Sequence, residues 1–194
     1  MIFPEFHSFK KIPRLTRDIY ITEKLDGSSG IVYIDYDLNI FAGSRNRWLW
    51  GSIQDEIHND NHSFAQWVKT NKEELLGLGV GFHFGEFWGK KINRGYGLNE
   101  KRFSLFDVNK WVKDETKKQY LPSCCSVVPL LYEGPFDTSI INYWLDRLAY
   151  IGSYASPGYM DPEGICVYHT AGDLYFKKTI KHDEQPKGVT NENK

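Results

Sequence analysis

The sequence predicts an α+β domain built of packed antiparallel sheets flanked by helices. Three observations carry this. Short apolar runs rich in Ile, Val, Tyr and Phe recur between turn-forming residues, which is the mark of strands. Only two main stretches, 62–76 and 138–151, carry an apolar stripe at helical spacing. Aromatic residues are abundant, with 12 Phe, 12 Tyr and 6 Trp, which favours a folded, strand-containing chain.

Residues 1–18 read as an irregular lead-in, with Phe3-Pro4, the basic pair Lys10-Lys11 and Pro13-Arg14. Residues 19–24 and 30–36 read as strands around a tight turn, Asp26-Gly27-Ser28-Ser29-Gly30, where glycine accepts left-handed backbone and Asp and Ser bond locally. Asn39 to Gly43 is a third strand, followed by the cationic turn Ser44-Arg45-Asn46-Arg47 and then Trp48-Leu49-Trp50. In the first helix Phe64, Trp67, Val68, Leu75 and Leu76 form the stripe, Asn61 or Ser63 is the cap and Gly77 the stop. Val80 to Trp88 is a strand holding His83, Gly85 and Glu86. A basic loop follows at 89–102, and then a strand from Arg102 to Val108. Residues 109–119 read as a polar surface hairpin and Val127 to Tyr132 as one strand. The second helix places Ile140, Ile141, Trp144, Leu145 and Leu148 on one side. Gly164 to His169 and Leu174 to Lys178 form the last strand pair, joined at Ala171-Gly172-Asp173. One domain over 1–181 and a polar, disordered tail over 182–194 are expected.

A net charge of −1 leaves no global basic excess, so any polyanion site must be a local cluster. Cys124, Cys125 and Cys166 form no C-x-x-C pair and read as free thiols of a cytoplasmic protein. No apolar run reaches the ~20 residues of a membrane span. The chain lacks a phosphate-binding G-x-x-x-x-G-K-[ST], and Gly77-x-Gly79-x-Gly81 enters a strand instead of opening a helix.

Six short stretches carry the functional signal, and they come in a definite order. They are Lys24-Leu25-Asp26-Gly27, Ser44-Arg45-Asn46-Arg47, Phe84-Gly85-Glu86, Phe103-Ser104-Leu105-Phe106-Asp107, Pro162-Glu163-Gly164-Ile165-Cys166-Val167 and Phe176-Lys177-Lys178. This order and spacing resembles the covalent nucleotidyltransferase superfamily of ATP-dependent ligases and capping enzymes. Within it, the chain looks most like the RNA ligases. The resemblance implies a nucleotidyltransferase core, akin to ATP-grasp, that adenylylates Lys24 with ATP and Mg²⁺ or Mn²⁺. AMP would pass to the 5′-phosphate of an RNA or DNA end, and a 3′-hydroxyl would then seal the strand, as in RNA repair.

In that chemistry Lys24 would hold AMP as a phosphoramidate. Free lysine has a pKa near ~10.4, so the site must favour the neutral amine, which a metal at the phosphate would do. The resemblance places Glu23, Asp26, Gly27, Arg45, Glu86, Phe106, Glu163, Lys177 and Lys178 with Lys24 around the nucleotide, and Glu163 and Asp26 at the metal. Glu86 would accept the ribose hydroxyls. Phe106 would stack on adenine, with Phe103 as the alternative. Arg47, Lys90, Lys91 and Arg94 are the expected nucleic-acid contacts.

The chain departs from the family pattern in three ways. Thr179 stands where a second lysine is usual, leaving Lys178 and Lys181 as candidates for its role. Ser28-Ser29 replaces the usual Thr-Asn. Only a polar tail follows Lys181, so the expectation is a minimal core without an OB-fold, acting alone or with a partner protein. Two other readings remain. One is a non-catalytic module that binds nucleotides or nucleic-acid ends through the basic loop and nearby aromatics. The other is a DNA ligase core working with a partner chain.

Overall fold

The computed structural model describes residues 4–54, 56–60 and 62–184 of the 194-residue chain. Two sheets share its strands. One sheet has four strands in the order β10 (Leu174–Thr179), β9 (Gly164–His169), β1 (Asp18–Lys24) and β8 (Leu130–Pro135), all antiparallel. The other has six, in the order β4 (Trp48–Gly51), β3 (Ile40–Gly43), β2 (Ser28–Ile34), β5 (Gly81–Gly89), β6 (Lys101–Leu105) and β7 (Cys125–Val127). Among the described residues only the β6–β7 pair is parallel. The expected α+β class holds.

The chain crosses between sheets twice, and both crossings correct the sequence reading. The strands on either side of the 26–30 turn do not pair. β1 lies in the small sheet and β2 in the large one, so Leu25 to Gly27 is a bridge and not a hairpin. The expected single strand 127–132 is likewise cut at Val128-Pro129, with β7 in the large sheet and β8 in the small. Proline has no N–H for a ladder, which makes it a natural place to leave one sheet. Its carbonyl still accepts the Glu23 N–H at 3.0 Å.

Each sheet packs one face on its own helix. In the large sheet Val32, Ile34, Ala42, Phe87, Phe103 and Leu105 are buried against α1 (Phe64–Thr70) through Phe64, Ala65 and Val68. The small sheet buries Ile19, Ile21, Ile165 and Val167 against α4 (Thr138–Ile151). Ile140, Ile141, Trp144, Leu145 and Leu148 all face that core, as the stripe predicts. Asp137 caps α4 by accepting the Ser139 N–H, and Gly152 ends it at φ 88°. A third cluster, Leu25, Trp88, Tyr96, Val108 and Val128, fills the seam between the sheets.

Two helical readings need revision. The 62–76 stripe breaks into α1, α2 (Lys72–Leu75) and a 3-10 turn (Leu76–Leu78). Asn71 ends α1 because its side-chain amide bonds the Trp67 carbonyl at 2.8 Å, competing with the next helical turn. Ser63 makes no capping bond, and Asn61 lies outside the described residues. The 109–119 segment is not a hairpin but a π-turn (Asn109–Lys113) followed by α3 (Glu115–Lys118). Residues 182–184 are described, and the rest of the expected tail, 185–194, lies outside the described residues. Among the described residues no helix is long and apolar enough to cross a membrane.

Candidate active site

Strand alternation sorts β1 into two sides. Ile19, Ile21 and Glu23 face the α4 core, while Tyr20, Thr22 and Lys24 face the cleft between the sheets. Lys24 is the last residue of β1 and pairs with Gly164 across the ladder. Its Nζ donates to Oε2 of the buried Glu163 at 2.6 Å, a short, charge-assisted ion pair. Lys177 and Thr179 share the cleft face in the registers beside Cys166 and Gly164. Register sets Lys24 and Lys177 on the cleft face of the small sheet, Glu163 bonds Lys24, and Glu86 bonds the Gly27 N–H just after it, so these groups gather at one end of the cleft. Burial, first among the causes, pushes the Cys166 thiol up to about 11.

The bridge after Lys24 is held from three directions. Tyr96 Oη accepts the Asp26 N–H at 2.9 Å, and Glu86 Oε1 accepts the Gly27 N–H at 3.0 Å. Asn93 donates to both Asp26 Oδ1 and the Gly27 carbonyl at 2.9 Å. Arg94 Nε donates to Asp26 Oδ2 at 3.0 Å, and its Nη1 reaches Asp161 Oδ2 at 2.6 Å. Lys181 then bonds the other Asp161 oxygen at 2.7 Å. Gly27 has a packing reason beyond its turn. A Cβ there would sit 2.3 Å from the Phe87 carbonyl and 2.8 Å from Trp88 Cβ. Gly85 likewise makes room for the Phe103 ring, not for a ligand.

The structure revises several expected site residues. The Glu23 carboxylate is turned away from the cleft and clamps the 153–155 loop. It accepts Ser153 Oγ at 2.6 Å and the Tyr154 and Ala155 N–H groups at 2.8 and 2.9 Å. Lys178 is aligned with Ile165 on the α4 side and cannot replace the missing second lysine of the cleft face. Lys181 is tied to Asp161. Arg94 is an internal cation between Asp26 and Asp161, not an open nucleic-acid contact. Phe103 is fully buried, which leaves Phe106, 37% exposed, as the ring available to a ligand. Arg45 and Arg47 are exposed in the β3–β4 turn, and Arg47 donates to the Asn59 carbonyl. Lys90 and Lys91 are exposed beyond β5.

Sequence reasoning missed Asn93, Tyr96 and Asp161 as supports of the bridge. A signal was present. Gly95-Tyr96-Gly97 all take positive φ, as do Lys91 and Asn93. A segment with so much left-handed backbone persists only where its surroundings hold it.

The Glu23 clamp makes a stability prediction. Burial lifts this carboxyl above its ordinary range, and the bonds from Ser153, Ala155 and Tyr154 pull it part of the way back. Glu23→Ala strips three donors of their acceptor and should cost about 2 kcal/mol in chemical denaturation. Glu23→Gln can keep the two N–H bonds and should cost less. A raised native pKa gives stability that is present below the unfolded value, ~4.3, and lost as pH rises through the native value. Glu23→Gln should remove that fall.

An RNA ligase family model matches residues 17–181. No curated protein sequence matches significantly. Among solved structures, a Naegleria gruberi RNA ligase mutant with AMP and Mn is similar at 21% identity and TM-score 0.61, over 91% of this chain and 57% of that one. A second mutant of that ligase, with ATP and Mn, matches at 21% identity and TM-score 0.61, over 92% of this chain and 58% of that one. An apo mutant matches at 22% identity and TM-score 0.58, over 94% and 60%. At such identity the likeness is one of fold, and the chain spans less than two thirds of these relatives' length.

Proposed function

The chain belongs to the RNA ligase family, and from that premise we propose that it is an ATP-dependent RNA ligase with Lys24 as its nucleophile. The supporting observation is the Lys24–Glu163 ion pair, with Lys177 on the same face of the sheet by register and Glu86 bonded to Gly27 just after the nucleophile. The catalytic unit is residues 1–181.

In the first step the Lys24 ammonium leaves Glu163, gives a proton to solvent, and as the neutral amine attacks the α-phosphorus of ATP. A P–N bond forms and the bond to the β-phosphate oxygen breaks, releasing pyrophosphate. A 5′-phosphate oxygen of the RNA next attacks the same phosphorus. The P–N bond breaks, the amine regains its proton, and AMP caps the strand end. A 3′-hydroxyl then attacks the 5′-phosphate and AMP departs. Lys177 offsets phosphate charge, Phe106 offers a stacking face for adenine, and Glu86 holds Gly27 while its carboxylate faces the ribose.

The residues fit a hard divalent cation. The cleft supplies carboxylate oxygens, and among the described residues no cluster of three or more ligating side chains forms an all-protein cage. Mg²⁺ or Mn²⁺ suits one carboxylate plus phosphate oxygens and water, and Glu163 is the residue to hold it. Asp26, already bonded to Arg94 and Asn93, acts as a support of the bridge more than as a ligand. When bound, the metal neutralises charge on the phosphates. Three free cysteines support a reducing, cytoplasmic location.

Intact-mass measurement tests the proposal. With ATP and Mg²⁺ the chain should gain one AMP and lose it again with pyrophosphate. It should then join RNA carrying a 5′-phosphate and a 3′-hydroxyl. A chain that never gains AMP is not this enzyme. Preference for DNA ends would correct the substrate, and sealing by the chain alone would dispense with a partner protein.

A further inference from the structure

The cleft face of the large sheet carries an aromatic plate that the adenylylation chemistry does not use. Cross-strand register puts Tyr33 beside Phe82 and Phe41, and Ile31 beside Phe84. The rings are in mutual contact. Tyr33 and Phe82 stack at 4.4 Å, Phe82 and Phe84 at 6.0 Å with planes 8° apart, and Trp48 and Phe82 at 6.3 Å. Phe41 packs beside Trp48 at 5.9 Å. These rings are far from buried. Phe82 is 55% exposed, Phe84 51% and Trp48 49%. A hollow of about 360 Å³ opens where Tyr33, Phe41 and Trp48 meet Ile53, Gln54 and His58. Aromatic residues bring a large apolar area, so leaving three of them half exposed side by side is costly unless something covers them.

Position and charge indicate what covers them. The plate continues directly from the nucleotide cleft, because Phe82, Phe84 and Glu86 lie in one row on the same face of β5. Successive residues of that row are ~7 Å apart, close to the reach of one nucleotide of an extended strand. Arg45 and Arg47 lie in the β3–β4 turn, at the end of the sheet where β2 leaves the bridge from Lys24. Cations therefore sit toward the reacting end. Asp35 and Asp37 lie at the far end of β2, and Glu56 lines the hollow beside His58, 3.9 Å from its Nδ1. A ring-lined surface with arginines toward the phosphate end suits unpaired bases, which stack on aromatic rings whatever their sequence.

We propose that Tyr33, Phe82, Phe84 and Trp48 form a stacking platform for unpaired nucleotides of the RNA strand being sealed, with Arg45 and Arg47 meeting its backbone. This rests on the ligase reading and makes the substrate a single-stranded or frayed end. A continuous duplex keeps its base faces inside its own stack and offers none to the plate.

The test is fluorescence anisotropy with the full chain and two probes. One is a short unstructured RNA with a 5′-phosphate, and the other is the same strand with abasic nucleotides, equal in backbone charge. Wild type should bind the base-bearing strand at least about tenfold more tightly than the abasic one. The double variant Tyr33→Leu/Phe82→Leu keeps apolar area and loses the ring faces. It should lose that preference while still taking AMP onto Lys24 at the wild-type rate, which also shows that it is folded. Trp48→Leu should give an independent, smaller loss. Equal binding of both probes by wild type would overturn the platform. So would unchanged RNA binding with an altered oligomeric mass in the double variant, which would make the plate a protein interface. Failure of wild type to take AMP would strike the ligase reading alone and leave the base preference still measurable.

Discussion

Lys24→Arg is expected to take no AMP from ATP, a loss of at least about a thousandfold in adduct formation. Yet it should fold and melt close to wild type. The two halves of this result come from different properties of the side chain. Glu163 is only 2% exposed, so a neutral substitute at position 24 removes the cation bonded to its Oε2 at 2.6 Å. Losing the partner of a buried charge costs about 3–5 kcal/mol, so Lys24→Ala would mix a chemical defect with a folding one. Arginine keeps the charge and the capacity to bond Glu163. It is not deprotonated in proteins and therefore cannot be the nucleophile. Intact mass after incubation with ATP and Mg²⁺ reads the adduct, and thermal melting reads the fold. A strand supplied already adenylylated should still be joined by Lys24→Arg, because the last step uses the 3′-hydroxyl and not the amine. An AMP adduct on Lys24→Arg would place the nucleophile elsewhere.

How much of this was legible in the sequence depends on the range over which each feature is determined. Features set by local pattern were readable. The α4 stripe, its stop at Gly152 and the β9–β10 hairpin follow from periodicity and turn residues. The ordered short stretches marked Lys24, Glu86, Glu163 and Lys177, which the fold brings to one cleft. Features set by partners distant in sequence were not. Nothing near Asp26 says that β1 and β2 enter different sheets. That depends on β1 finding β8 and β9, while β2 finds β3 and β5. The same holds for Glu23, one residue from the nucleophile. Its buried face and the hydrogen-bond donors of the 153–155 loop remove its carboxylate from the cleft, and those donors lie 130 residues and more away. Alternation, which separates Lys177 from Lys178 in the sequence, could equally have separated Glu23 from Lys24, since neighbours on a strand face opposite ways. Arg94 in the basic loop was misread for a related reason. Composition registers its charge but not its counter-charge, and Arg94 meets two carboxylates supplied by other segments.

Arg94 gives the sharpest contrast between the two readings. If it were an open RNA contact, Arg94→Met would weaken RNA binding and leave the melting temperature alone. The structure gives the opposite expectation. Burial works against the Arg94 charge, and Asp161 and Asp26 outweigh it, holding the guanidinium above its ordinary value. Arg94→Met would leave Asp26, whose side chain is 11% exposed, without its cation, while Asp161 keeps its bond from Lys181. The expected cost is about 4 kcal/mol, moderated by the Asn93 bond that remains on Asp26 Oδ1. For a chain of this length that corresponds to a fall in melting temperature on the order of 10 °C. Asp26→Asn should recover part of it, because the two residues act through one bond and their effects cannot add. AMP transfer to Lys24 should also slow, since Asp26 and Gly27 fix the chain directly after the nucleophile. Arg94→Lys, which keeps the charge but not the planar fork that spans two carboxylates, should fall between wild type and Arg94→Met in both measurements. An unchanged melting temperature in Arg94→Met would return Arg94 to the nucleic-acid surface.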